Sequence, residues 1–211
     1  MSEPDCRKGP QTRELLMDAA EAAVLEKGFA ATSIEELIAE VGITKSGFFY
    51  HFSDKGELAK ALLERYLARE ETLFDDLFAR ARELDDDPLH SFLIGLKLMA
   101  ELMADLPGGH PGCLVASYCY QENMFNGSVR DLNREGVLRW RKRFRCYLDE
   151  IAERYPPRID IDLDALADMF SALADGGIIL SKVVREKDIL PQQLMLYREF
   201  VRAVFSGPGG R

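Results

Sequence analysis

Long apolar runs, a surplus of positive charge and paired cysteines are all missing from this sequence of 211 residues. Its best apolar stretch, Phe92 to Met103, is broken by Lys97 and Glu101 and falls short of the ~20 residues that a membrane-spanning helix needs. The opening MSEPDCRKGPQ lacks the apolar segment of a signal peptide. A cytoplasmic protein with no membrane partner is therefore expected. Lys and Arg number 27 against 36 Asp and Glu, a formal charge of −9. That balance excludes coating nucleic acid through bulk charge and leaves only a local basic face. The four cysteines, Cys6, Cys113, Cys119 and Cys146, form no CxxC pair, which argues against a disulfide framework and a zinc site. The three histidines, His51, His90 and His110, lie far apart, and no GxSxG, HExxH, P-loop or GxGxxG motif occurs. No catalytic residue, metal or cofactor is assigned. GGHPG at 108–112 reads as a turn rather than a nucleotide cradle, and Asp75-Asp76 as an exposed helix face.

Helical periodicity is what the sequence does have, and no strand-like alternation of useful length competes with it. Helices are predicted at 11–27, 33–41, 44–50, 54–84, 88–106, 113–124, 128–154, 163–187 and 191–205. The expected fold is all-α with about nine helices. Leu16, Ala19, Ala20, Ala23 and Val24 share one face of the first helix, and Gly28 stops it. Thr32 with Glu35, or Ser33 with Glu36, has the spacing of a capping box. PGGHPG at 107–112, NG at 126–127 and PPRIDID at 156–162 supply turns. The acidic run at 85–87 reads as a solvated loop. Residues 1–9 and the tail at 206–211 are expected to fray.

Two short helices joined by a glycine turn within 32–51 suggest a helix-turn-helix, whose second helix is narrow enough to enter a DNA major groove. Ile34, Leu37, Ile38 and Val41 form the inner face of the bracing helix, and Ile43 packs the turn. A bland helical hairpin has the same shape. The wording of TRELLMDAAEAAVLEKGFAATSIEELIAEVGITKSGFFYHFSDKGEL at 12–58 is more specific. Its ordered Ala19-Ala20, Gly28-Phe29, Thr32-Ser33-Ile34, Val41-Gly42-Ile43, Thr44-Lys45, Tyr50-His51-Phe52 and Lys55 resemble the N-terminal DNA-binding domain of TetR-family transcriptional regulators.

That resemblance implies domains at 1–55 for DNA binding and 56–211 for ligand binding and dimerisation, with 1–9 as a flexible arm whose Arg7 and Lys8 add phosphate contacts. It places Thr44, Lys45, Ser46 and Gly47 where base edges are read, with Lys45 as the guanine reader. Thr32, Ser33, Tyr50, His51 and Lys55 fall where phosphates are gripped, and hydroxyls and ammonium groups suit that task. The family usually has tyrosine at the position of Phe49. Phe49 is therefore expected in the core, with Tyr50 carrying the aromatic phosphate contact. Acids of this region cluster on the first two helices, and none lies between Ile43 and Ser53.

The remainder resembles, more loosely, the C-terminal domains of AcrR-like members. A mostly apolar effector pocket is expected among Phe92, Leu96, Met99, Met103, Tyr118, Trp140, Phe144 and Met169. Ser117, Gln121, Asn123 or Asp175 would orient a polar group. For any one of these the core reading is favoured over the pocket reading. Leu166, Met169, Phe170, Leu173, Gly177 and Ile178 on one helix, with Leu194, Tyr197, Phe200, Val201 and Val204 on the last, are the dimerisation candidates. Intramolecular packing would need the same stripes. Cys113, near a helix start, suits a thiol sensor or a small buried hydrophobe. The implied partners are a palindromic double-stranded operator, a small-molecule effector and a second copy of the chain. A repressor released by its effector is the expected function, with a shift of the helix at 54–84 linking pocket to reading head. A small-molecule-binding protein with a vestigial reading head, an enzyme using the bundle's pocket and a thiol-based regulator are the alternatives.

Overall fold

The computed structural model describes residues 8–206; Arg7, Cys6 and the rest of the expected arm at 1–7, with the tail at 207–211, lie outside the described residues. The described residues form nine α-helices and no strand: α1 (Lys8–Lys27), α2 (Ile34–Val41), α3 (Lys45–His51), α4 (Lys55–Leu84), α5 (Pro88–Ala104), α6 (Leu114–Cys119), α7 (Gly127–Arg154), α8 (Leu163–Val184) and α9 (Ile189–Phe205). One 3-10 turn, Glu122–Met124, lies between α6 and α7. Two predicted helices differ from those observed. The one at 113–124 breaks after Cys119 and resumes as the 3-10 turn. The one reaching 187 stops at Val184, because Arg185 takes the left-handed conformation, φ 64°. Lys8 and Gly9, expected in the arm, are already helical.

Contacts group the chain into two units. Among the described residues, one holds 8–68 with 113–136, and the other holds 69–112 with 137–206. This differs from a cut at 55, because the α6 segment folds onto the N-terminal helices. α4 and α7 each contribute residues to both units.

In the first unit Leu16, Ala20, Leu37, Phe48, Phe52, Leu58 and Leu62 are fully buried. The loop after α1 is held from a distant part of the chain. Tyr118 stacks on Phe125 at 4.3 Å, and both rings meet Phe29, at 5.9 and 4.7 Å. The buried Tyr118 hydroxyl donates to the Ala59 carbonyl at 2.9 Å, and burial pushes its pKa up. Gln121 Oε1 accepts the Ala30 amide at 2.8 Å. Gly28 sits at φ 86°, where a side chain is strained, and a Cβ there would lie 2.5 Å from Gln121 Nε2, displacing that side chain. Arg65 of α4 gathers three carboxylates of α1, Glu14, Asp18 and Glu21, at 3.0, 2.8 and 2.9 Å.

The second unit is built on aromatic rings. Phe78 stacks on Tyr147 at 4.7 Å and on Phe92 at 5.6 Å, and Phe144 stacks on Phe170 at 3.9 Å. A Cβ at Gly95 would lie 2.5 Å from the Phe78 ring, so glycine permits this approach of α5 to α4. The acidic run departs from a solvated loop at its last member. Asp87 caps α5 by accepting the Leu89 and His90 amides, each at 3.0 Å, and also takes the Tyr155 hydroxyl at 2.6 Å. Asp75 and Asp76 are exposed, as expected, and Asp75 pairs with Arg143 at 2.5 Å.

Candidate nucleic-acid interface

Local chemistry sets the geometry of α2 and α3. Ser33, in extended backbone, caps α2 by accepting the Glu36 amide at 3.2 Å. Gly42 ends the helix at φ 75°, a left-handed conformation that glycine takes without a Cβ clash. Its amide and that of Ile43 both donate to the Ile38 carbonyl at 3.0 Å. Thr44 then caps α3, accepting the Gly47 amide at 3.2 Å and bonding Ser46 Oγ at 2.9 Å. Residues 42–44 thus form a tight turn between two capped helices.

One face of α3 anchors it and the other is presented to solvent. Phe48 on α3 and Phe52 just beyond it are fully buried, with ring centroids 5.8 Å apart. Thr44, Lys45, Ser46, Phe49 and Tyr50 are exposed. Lys45 with Phe49, and Ser46 with Tyr50, are i,i+4 neighbours on the outward face. The expectation for Phe49 is corrected here. It is 46% exposed, because at about 100° per residue it is turned away from its buried neighbour Phe48. A residue meant for the core therefore sits beside Lys45 on the outer face.

The other expected contacts are distributed unevenly. Ser33 is exposed at the start of α2. Thr32 is buried and its hydroxyl donates to the Gly28 carbonyl at 3.0 Å, so it stabilises the loop instead of facing solvent. Gly47 is half-buried, between the exposed Ser46 and the buried Phe48. Lys55 is drawn inward: its ammonium donates to the Phe29 carbonyl at 2.5 Å and lies 4.2 Å from that ring's centroid. Burial lowers the Lys55 pKa. His51 is half-buried; burial and then repulsion from Arg13 lower its pKa, so the imidazole offers a neutral donor at pH 7. The Lys45 ammonium pairs with Glu35 of α2 at 2.9 Å, both side chains about two-thirds exposed. Their hydrogen bond holds the Glu35 carboxyl below its usual pKa. α3 itself carries no carboxylate.

The residues expected around one effector pocket fall in both units. Cys113, Ser117, Tyr118 and Gln121 belong to the first unit, and Phe92, Leu96, Met99, Met103, Trp140, Phe144 and Met169 to the second. Phe92, Leu96, Met99, Phe144 and Tyr118 are packed as core. Asn123 is exposed, and Asp175 is half-buried. Trp140 alone of the expected set lines a groove of about 430 Å³ in the second unit, with Glu71, Arg139, Lys142, Arg143, Cys146 and Tyr147. Cys113 is buried and its Sγ accepts the Ala116 amide at 3.4 Å, whereas Cys119 and Cys146 are exposed.

The dimerisation stripes need a similar correction. Leu166, Phe170, Gly177, Leu194, Tyr197, Val201 and Val204 are buried within the chain, and Leu173, Met169 and Ile178 are half-buried. A Cβ at Gly177 would come within 3.0 Å of the Leu190 backbone, and the Tyr197 hydroxyl donates to the Leu166 carbonyl at 3.0 Å. These residues hold α8 against α9. Phe200, at 37% exposure, lies outside that seam, as do Ile179, Leu180, Val183 and Leu196.

A capped pair of short helices, the second anchored by phenylalanines and presenting a carboxylate-free polar and aromatic face, defines a DNA-reading helix-turn-helix. Comparison with known proteins agrees. Residues 16–62 match the family model described as "Bacterial regulatory proteins, tetR family". The probable HTH-type transcriptional regulator ArpR of Pseudomonas putida is 30% identical over 174 residues, covering 80% of this chain and 79% of that protein. The HTH-type transcriptional repressor DhaR of Mycobacterium sp. (strain GP1) is 24% identical over 188 residues, covering 89% and 90%. A TetR transcriptional regulator from Chloroflexus aurantiacus J-10-FL shares the fold, with a TM-score of 0.76 at 23% identity over 94% of this chain and 98% of that one. The chain belongs to the TetR family of transcriptional regulators. It is a regulator and not an enzyme. Among the described residues, no helix is long and apolar enough to cross a membrane.

Proposed function

We propose that the protein is a homodimeric repressor that reads a palindromic operator through α3 and is released by a small, mostly apolar effector. The outward face of α3 carries this reading. Lys45 is positioned for a guanine edge, Ser46 and Thr44 for hydrogen bonds, and Phe49 for a thymine methyl. Tyr50 and the Ser33 end of α2 suit phosphates, which fix register. The Lys45–Glu35 pair is exposed and exchangeable, so DNA competes for the ammonium at modest cost. Two such heads on a two-fold axis would meet major grooves ~34–36 Å apart.

Exposed Ile179 and Val183 on α8, with Leu196 and Phe200 on α9, supply apolar surface for a second copy. The effector is assigned to the groove walled by Trp140 and Tyr147, whose other side includes Glu71 of α4. α4 begins beside the reading head at Lys55, so a ligand that favours one placement of α4 biases DNA affinity through its differential affinity for the two states. The reading implies a protein that works in the cytoplasm.

Selection from a random duplex library at moderate salt, with Lys45→Ala in parallel, tests the proposal. An enriched palindrome that the variant loses is the expected result. A folded dimer that enriches no sequence would overturn it and leave a ligand-binding protein with a vestigial head.

A further inference from the structure

A second concavity lies in the same unit as the Trp140 groove and shares no residue with it. Its volume is about 440 Å³, within the range of small-molecule sites. The loop at 108–110 forms one side, and Ser181, Lys182, Arg185 and Lys187 form the other. Three cations therefore converge in a chain whose net charge is −9, and no carboxylate is part of the lining.

The lysines are held in place without being neutralised. Lys182 donates to the Pro111 carbonyl, and Lys187 donates to the Ala104 carbonyl at 3.1 Å. Among the described residues neither ammonium forms an ion pair, and each retains two further donors. His110 presents a donor as well. Its Nδ1 accepts the Gly112 amide at 3.2 Å, which leaves the proton of the neutral ring on Nε2. Ser181 Oγ accepts the Leu190 amide at 3.2 Å, so its own proton is available to a ligand.

Arg185 adds an independent indication. It closes α8 at φ 64°, the helix-ending position where glycine sits without steric cost. An arginine there accepts an unfavourable backbone conformation and brings a guanidinium to the concavity. At about 100° per residue, Ser181 lies roughly opposite Ile179 and Val183 on α8, and Lys182 lies nearer to them.

We propose that this concavity binds a small organic oxyanion of two or more negative charges, a phosphate ester or a polycarboxylate, as a second ligand site. The arginine supplies a planar pair of donors, the lysines supply point charges, and the Ser181 hydroxyl and the His110 ring orient the ligand. The proposal concerns binding by the protein alone and stands whether or not the DNA reading does.

Calorimetric titration of the full chain with pyrophosphate, and separately with citrate, at fixed ionic strength tests it. Arg185→Gly is the informative variant, because it relieves the backbone conformation while removing the side chain that carries the guanidinium. Saturable binding is expected, weakened about tenfold or more in Arg185→Gly and in Lys182→Gln. Lys97→Gln, on an exposed face of α5, should bind as the parent does. A preference for pyrophosphate or for citrate assigns the oxyanion to a phosphate or a carboxylate source. Absence of saturable binding to either anion, or equal binding by a folded Arg185→Gly, overturns the proposal.

Discussion

The outer face of α3 and the outer faces of α8 and α9 are both proposed here as partner surfaces, yet they differ in how their residues are divided. On α3 the two faces differ in kind: large apolar rings anchor one side, and a lysine, two hydroxyl groups and only one apolar ring occupy the other. On α8 and α9 both faces are apolar, and helical phase alone decides that Tyr197 and Val201 go inward while Leu196 and Phe200 stay out. Polar contacts are thus identified by residue type, whereas apolar contacts are identified only by what already covers them.

Adjacent phenylalanines provide the sharpest way to break that comparison. Phe48→Ala should cost ~3–5 kcal/mol by emptying a fully buried ring site. Phe49→Ala should leave stability within about 0.5 kcal/mol and weaken operator binding. Chemical denaturation and DNA titration of the two variants check both statements. The α8–α9 faces come next. Leu196→Glu should cost dimer stability on the order of 2 kcal/mol if Leu196 is a central contact, read as dissociation in sedimentation experiments, with secondary structure retained. Lys45→Ala should lose ~1–3 kcal/mol of discrimination at one base pair of each half-site, seen as a relaxed position in the selected operator. Tyr118→Phe should cost ~1 kcal/mol, the net value of a typical hydrogen bond.

The smallest effect is on pH dependence. Burial, then repulsion from Lys182, holds the His110 imidazole below its ordinary pKa of 6.5. Below that value the unfolded chain takes up a proton that the folded chain resists. The contribution of His110 to stability is therefore complete above about pH 6.5 and declines as pH falls toward the lowered folded pKa. His110→Gln should flatten the stability profile between pH 5 and 6.5, roughly the range in which an unperturbed histidine titrates.

Most helices were legible because their ends carry local signals. Ser33, Thr44 and Gly42 cap as their residue types suggest. The break after Cys119 and the stop at Arg185 had no such mark, since tertiary packing sets them. The exposed face of α3 was legible through Thr44, Lys45, Ser46 and Tyr50. Thr32 was not, because a threonine can present its hydroxyl or spend it on a neighbouring carbonyl, as it does on Gly28. Nor does local sequence reveal that Gln121 would meet Ala30, 91 residues earlier. The walls of the proposed effector groove were least legible, since the rings of a core and of a binding wall have the same composition.

That long-range contact also determines what can be transplanted. A chimera that joins residues 1–55 to another regulator's C-terminal part inherits Phe29 without Tyr118 and Phe125, and Ala30 without its Gln121 acceptor. A graft that carries 1–68 together with 113–136 keeps the loop ahead of α2 on its own support. For engineering, the exchangeable cassette is therefore discontinuous in sequence.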